Sequence, residues 1–331
     1  MAYGWSTLGF GCELWPWRSA GWAEQVEGQF LRTILGVGQS TNYLAICWFT
    51  GCSPVQDRIW IKAVGLLVRM GRSTQSLESQ ALTTQFELWD NMTSTGRLSL
   101  PPSAQGGIWF YGFFAMLRTI GWGESDEDRI RVANLRGKPL LTVGVQIIQK
   151  IKATRTDRLY AKLVNMNKYS FLLQCCPQYG YRQWLTGLPR WSRKAPARLF
   201  LSQHRLVIET GRWKRWPRKL RTCAFCVQPV CKTHGCTCRG ERCIGTEAHV
   251  CWFCPGFRHH WDTIRSKIET KYGIYIGNDF KQLNDPTALQ IPGSRSIEIG
   301  TLVARYAEDL LFGAELIAIP YTTLGLSLIH I

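Results

Sequence analysis

Residues 53–70 read SPVQDRIWIKAVGLLVRM, and the order of residue types along this stretch specifies an α-helix. Ser53 offers an N-cap oxygen, Pro54 suits the first helical position because its missing N–H has no intrahelical use there, and Gln56 can reach back as in a capping box. Ile59, Ala63, Leu67 and Met70 then recur at helical spacing, so they are read as core. Toward the N-terminus Val26, Phe30 and Ile34 form another such stripe, broken at Gly36 and Gly38, and residues 24–71 are read as helices.

Toward the C-terminus, residues 72–107 are polar, rich in Ser and Thr, and end in LPPSAQGG, which predicts a loose connection with at most one short helix around Leu82 to Trp89. An apolar aromatic segment over 108–122 and a Gly-rich acidic turn around Gly121 to Asp128 follow. Val143 to Lys152 and Leu159 to Leu173 read as helical. The stretch 195–207 carries Ala197, Phe200, Leu201 and Leu206 on one side and Arg198 and Arg205 on the other, as an amphipathic basic helix would. Helices are also expected over 257–272, through Trp261, Ile264 and Ile268, and over 297–317, through Val303, Tyr306, Leu310, Leu311 and Ala314. The fold class is therefore mainly α, with a small metal module inserted late. The expected divisions are 1–71, 72–128, 129–222, 223–257 and 258–320. The last residues, 321–331 (YTTLGLSLIHI), share neither charge balance nor periodicity with what precedes them and are read as a non-native tail.

An apolar content of 45% with 15 Trp in 331 residues excludes a wholly disordered chain. The net charge is +17, and 18 Lys or Arg against Asp157 and Glu209 put +16 of it between Lys150 and Thr222. Solvated charged faces usually mix signs, so this concentration points to a polyanion partner. The two acids are isolated and are read as ion-pair partners of neighbouring Arg. Neither Ile108 to Leu117 nor Leu316 to Ile331 supplies the roughly 20 apolar residues of a membrane span, so no membrane partner is expected. No basic, then apolar, cleavable leader opens the sequence, and the 13 cysteines are read as reduced thiols of an intracellular protein of nucleus or cytoplasm.

Eight of those cysteines lie between Cys223 and Cys254. Cys223-Ala-Phe-Cys226 can place two thiolates on one zinc ion, because the intervening turn folds back on itself. The other half-site has two registers: His249 with Cys254, or Cys251 with Cys254, the second giving a four-cysteine ribbon that spacing slightly favours. Cys231, His234, Cys236, Cys238 and Cys243 in the intervening loop are enough for a second ion. Either register is a closed site, and closed zinc sites stabilise folds instead of activating water.

The segment ARLFLSQHRLVIETGRWKRWPRKLRTCAFC, from Ala197, followed by GTEAHVCWFCPGF, resembles the C-terminal region of non-LTR (LINE-type) retrotransposon reverse transcriptases. Gly211-Arg212-Trp213, Pro217-Arg218, Arg221, Cys223, Cys226, Glu247, His249, Cys254 and Pro255 fall on that family's pattern. The span between Cys226 and His249 is longer here than the family usually has. CELW at Cys12, QFLRTILGV at Gln29, Ser40-Thr41-Asn42 and Ser53-Pro54 through Arg58 resemble the helical thumb that follows the polymerase palm. The resemblance implies a thumb-like bundle, a basic helical linker, the Cys-Cys-His-Cys register and a fragment that has lost its palm.

A polymerase of this kind needs paired aspartates to hold its metal ions, and the sequence has no Asp-Asp pair. It also has no GxxxxGK[ST], HExxH or GxSxG, so no catalytic residue and no small-molecule substrate are expected. The expected activity is non-catalytic binding of RNA or DNA through Arg198, Arg205, Arg212, Trp213, Lys214, Arg215, Arg218, Lys219 and Arg221. Packing is the ordinary role of each tryptophan among these bases, Trp191, Trp213 and Trp216, and stacking on bases is the alternative. The competing expectation is a zinc-stabilised protein-interaction module docking an acidic partner.

Overall fold

The computed structural model describes residues 11–14, 20–72, 75–94, 109–122, 137–180, 185, 188–189, 191–223, 225–226, 243–273, 301–302 and 304–308. The described chain is mainly helical, and its one β-bridge joins Thr222 to Ile244. The helices are α1 (Gly21–Leu35), α2 (Tyr43–Thr50), α3 (Val55–Met70), α4 (Leu77–Ser94), α5 (Trp109–Thr119), α6 (Gly137–Val164), α7 (Ser170–Cys175), α8 (Lys194–Phe200), α9 (Val207–Trp213) and α10 (Arg258–Tyr272). Two compact units interleave in sequence: Met1–Glu27 with Ser53–Ala161, and Gly28–Cys52 with Lys162–Ile331. Each unit is discontinuous in sequence because its contacts join distant segments.

In the first unit α3, α4, α5 and α6 share one core. Trp60, Ala63, Val64 and Leu67 meet Leu82 and Trp89, Phe110, Phe113 and Phe114, and Leu140, Ile147 and Ile151. The rings of Trp109 and Phe113 stack at 4.7 Å. Asp57, in the first turn of α3, is buried and accepts from Arg155 Nε at 2.6 Å and Arg158 Nη2 at 2.8 Å. The Arg158 guanidinium also lies 4.7 Å from the Trp60 ring centroid. Two cations of the basic region are thus committed to the fold.

In the second unit α2 is buried on nearly every side. Asn42 caps it, its Oδ1 accepting from Leu44 N at 2.8 Å, and Gly51 closes it in the left-handed region at φ 73°. Trp48 Nε1 donates to Cys176 O at 2.7 Å, and the Phe49 and Phe171 rings both pack on Phe200 of α8. The Asn42 amide donates to the Tyr169 hydroxyl at 2.8 Å.

Several expectations change at their boundaries. α3 begins at Val55, one residue later than Pro54 at the first helical position would give, with Pro54 itself in the capping position. Ile59, Ala63 and Leu67 are buried, while Met70 is half-buried. α1 forms and stops before Gly36, but its buried side is Ala23, Glu27, Leu31 and Leu35; Trp22, Val26 and Phe30 are exposed. Glu27 is buried because it pairs with Arg58.

The supposed loose connection contains the 18-residue α4. Its hydroxyls are absorbed locally: Ser76 Oγ accepts from Ser79 N, and Thr83 and Thr84 donate back to the carbonyls four residues earlier. The two helices expected around 143–173 are one 28-residue α6 followed by a short turn and α7.

The basic helix over 195–207 is split. α8 ends at Phe200, Ser202 takes a left-handed φ of 52°, Gln203 N donates to Arg198 O, and α9 starts at Val207. That six-to-one closure is a Schellman-type stop. The burial pattern survives the break, with Ala197, Phe200, Leu201 and Leu206 inside and Arg198 and Arg205 outside. At the C-terminal end residues 301–302 and 304–308 are helical, with Tyr306 fully buried. Val303, Leu310, Leu311, Ala314 and the tail 321–331 lie outside the described residues.

Candidate metal centre and basic surface

The cysteine module is closed at its base by backbone. Thr222 pairs with Ile244, Cys223 N donates to Cys243 O at 2.7 Å, and Gly245 N donates to Arg221 O at 2.8 Å. These bonds hold the Cys223–Cys226 turn against the chain that leads to His249. Gly256 is needed beside the turn, because a Cβ there would sit 2.1 Å from Phe225 O.

His249–Phe253 forms a single π-turn, closed by Cys254 N donating to His249 O at 2.7 Å. A ring of this size brings residues five apart onto one side, whereas an α-helical turn would favour residues three or four apart. His249 and Cys254 therefore converge. Cys223 Sγ lies 3.6 Å from Cys254 Sγ, Cys226 Sγ lies 3.7 Å from Cys254 Sγ, and Cys226 Sγ lies 3.2 Å from His249 Nε2.

All four donor atoms fall within 4.8 Å of one another, and the group could hold a metal ion. A tetrahedron with metal–sulfur bonds of about 2.3 Å has sulfur–sulfur edges of about 3.8 Å, close to the spacings found. Among the described residues this is the one such group. Cys251 is not part of it. Its thiol is buried and pushed well above its ordinary pKa by that burial, and its carbonyl accepts from the Tyr306 hydroxyl at 3.0 Å. Of the proposed second site, Cys243 is buried and contributes backbone to the base of the module; Cys231, His234, Cys236 and Cys238 lie outside the described residues.

The three thiols cannot all ionise side by side without a cation. A hydrogen bond from Cys223 and the neighbouring His249 hold Cys254 well below its usual range. Its hydrogen bond to Cys254, with burial, pushes Cys223 up, and burial with the charge of Cys254 pushes Cys226 up. A metal needs all three as thiolates. Loading a divalent ion at neutral pH is therefore expected to release about two protons, from Cys223 and Cys226. Affinity should accordingly rise with pH. Titration calorimetry in buffers of different ionisation enthalpy measures the release; a value near zero would show that the thiols are ionised beforehand.

A buried polar network sits beside the cluster. His204 Nδ1 accepts from Leu206 N at 3.3 Å, which leaves Nε2–H to donate to Glu247 Oε1 at 3.2 Å. The Ser202 hydroxyl lies 3.0 Å from the same oxygen and 2.8 Å from Lys168 O. Burial raises the Glu247 carboxyl, but donation from His204 and Ser202 outweighs it and leaves the group below its ordinary value. Glu209 is also fully buried; desolvation raises its pKa although Arg212 pairs with it. Sequence spacing held no signal for His204 or Ser202. Their partner, Glu247, is 43 and 45 residues away.

The basic residues divide into committed and open ones. Arg212 pairs with Glu209, Arg198 Nε donates to Gly36 O, and Arg221 donates from Nε and Nη2 to Trp216 O at 3.0 and 2.7 Å. Gly211 exists to admit Arg221, whose Cγ would lie 2.6 Å from a Cβ at that position. Arg205 and every residue from Trp213 to Leu220 are exposed, including Lys214, Arg215, Arg218 and Lys219. The tryptophans reverse their ordinary role: Trp191 is 67% exposed, Trp213 55% and Trp216 40%. Among the described residues no helix is long and apolar enough to cross a membrane. No family model, curated protein or solved structure matches the chain.

Proposed function

We propose that the chain grips nucleic acid without performing chemistry, and that the ion in its Cys223–Cys226–His249–Cys254 cluster is a structural zinc. Three thiols and one imidazole in a closed tetrahedral arrangement form a typical structural zinc donor set, and softer ligands of this kind disfavour magnesium or calcium. The observation that carries the binding reading is the exposed run Trp213–Leu220. It holds four cations and no acid, and Arg221 at its end leads directly into the bridged base of the metal module. The ion would thus fix the posture of the surface that binds.

The residues that carry the family resemblance make close contacts within the protein. Gly211 and Arg221 are fitted to one another, and Glu247 and His249 serve the buried network and the cluster. On this reading the chain is similar to the C-terminal region of LINE-type reverse transcriptases and acts in nucleus or cytoplasm.

Arg205, Lys214, Arg215, Arg218 and Lys219 supply five candidate phosphate contacts. Each released counterion contributes about 0.9 to the slope of log affinity against log salt on duplex DNA, so a slope of about −4 to −5 is expected. Filter binding across a salt series measures it. A salt-independent affinity would sink the reading, and equal retention of an acidic protein would favour a protein partner instead.

A further inference from the structure

The tryptophans of the basic segment should not be where they are if phosphate contact were their only task. Each carries roughly 150–250 Å² that packing would normally hide. Among the described residues the exposed tryptophans are Trp22, Trp191, Trp213 and Trp216, of which three lie in the basic segment. Two of them, Trp213 and Trp216, flank Lys214 and Arg215 within four consecutive residues.

The backbone beneath them is ordered by its own hydrogen bonds. Lys214 N donates to Thr210 O, Arg215 N to Arg212 O and Trp216 N to Gly211 O, with Arg215 reversing the chain at a left-handed φ of 56°. Arg221 clamps the Trp216 carbonyl from the other side. The Lys214 ammonium lies 5.1 Å from the Trp216 ring centroid, so a phosphate-binding cation and an aromatic face are presented together. An ordered turn of this kind displays large rings at low entropic cost, since a tryptophan has only two side-chain torsions to fix.

Duplex nucleic acid hides its base faces in its own stack, and a protein that needs only its phosphates gains nothing from exposed indoles. Single strands offer those faces, and stacking is tolerant of sequence because every base has one. Resting on the nucleic-acid reading above, we infer that this surface takes single-stranded nucleic acid. Trp213 and Trp216 stack on unpaired bases, and Lys214, Arg215, Arg218 and Lys219 hold the adjoining phosphates.

The test is fluorescence anisotropy of the full chain with labelled RNA and DNA single strands of about a dozen nucleotides, a span suited to such sites, and with the matching duplex. Stacking worth about 1–3 kcal/mol per base corresponds to about five- to 150-fold in affinity per ring. Trp213→Ala with Trp216→Ala should weaken both single strands by at least the lower figure and change duplex binding less than about two-fold. Trp213→Phe with Trp216→Phe should restore most of the loss. Metal content serves as the folding check, since both rings are exposed. Equal weakening on duplex and single strand, or none on either, overturns the single-strand assignment while the salt-dependent binding still stands. A parent chain that binds no oligonucleotide overturns the nucleic-acid reading itself.

Discussion

Cys223→Ser is expected to lower bound zinc from one equivalent to none and to unfold the module it organises. The module's described backbone pairing is one bridge with its flanking hydrogen bonds, and its ligands come from two segments 22 residues apart in sequence between Cys226 and His249. Structural zinc sites of small modules supply about 10–16 kcal/mol of apparent binding energy, much more than a few backbone bonds provide. Elemental analysis should therefore fall to zero for Cys223→Ser and for His249→Ala. Cys251→Ala should keep its equivalent, because that thiol is outside the cluster. Amide exchange of Cys223, Gly245 and Cys254 should lose protection together in the first two variants. Retention of zinc by His249→Ala with loss by Cys251→Ala would restore the four-cysteine ribbon.

The second large effect lies in the other unit. Asp57 is 4% exposed and carries two arginines, Arg155 and Arg158, that reach it from α6. Replacing it by alanine removes the carboxylate that both guanidinium groups, only 12% and 21% exposed, are bonded to. Removing one partner of a buried pair costs about 3–5 kcal/mol, because the surviving charge stays desolvated. Asp57→Ala should accordingly lower the midpoint of thermal unfolding of that unit by about 6 to 20 °C. Asp57→Asn should fall between the two, keeping one acceptor without the charge. A loss below about 1 kcal/mol would mean that water reaches the pair and screens it.

These arginines also show where sequence reading stopped. Periodicity sufficed for α3 and α10, whose apolar residues fall on one side, and glycine marked the end of α1. It failed where a polar stretch satisfied its own hydroxyls, as in α4, and where a left-handed residue, Ser202, stopped a helix whose apolar pattern ran on. Charge counting overstated the binding surface. Arg155, Arg158, Arg198, Arg212 and Arg221 are all engaged within the protein.

Spacing singled out the Cys-x-x-Cys pair that the cluster contains but could not choose between His249 and Cys251. The choice depends on one backbone hydrogen bond, Cys254 N to His249 O, which lengthens a turn by one residue. The exposure of Trp191, Trp213 and Trp216 was equally hidden, since burial depends on partners far along the chain.

That π-turn has a further implication for how such a chain can drift over generations. Removing or adding one residue inside it would swing a ligand to another side of the turn, and the ion would lose a vertex. The stretch between Cys226 and Cys243 is a loop closed from outside itself. Its two ends are already tied by the pairing of Thr222 with Ile244, and doubling a tied loop costs only about 0.6 kcal/mol. Length variation should therefore accumulate in the interval between the second and third ligands and be absent between the third and fourth, giving descendants of this gene one elastic interval beside one of constant length.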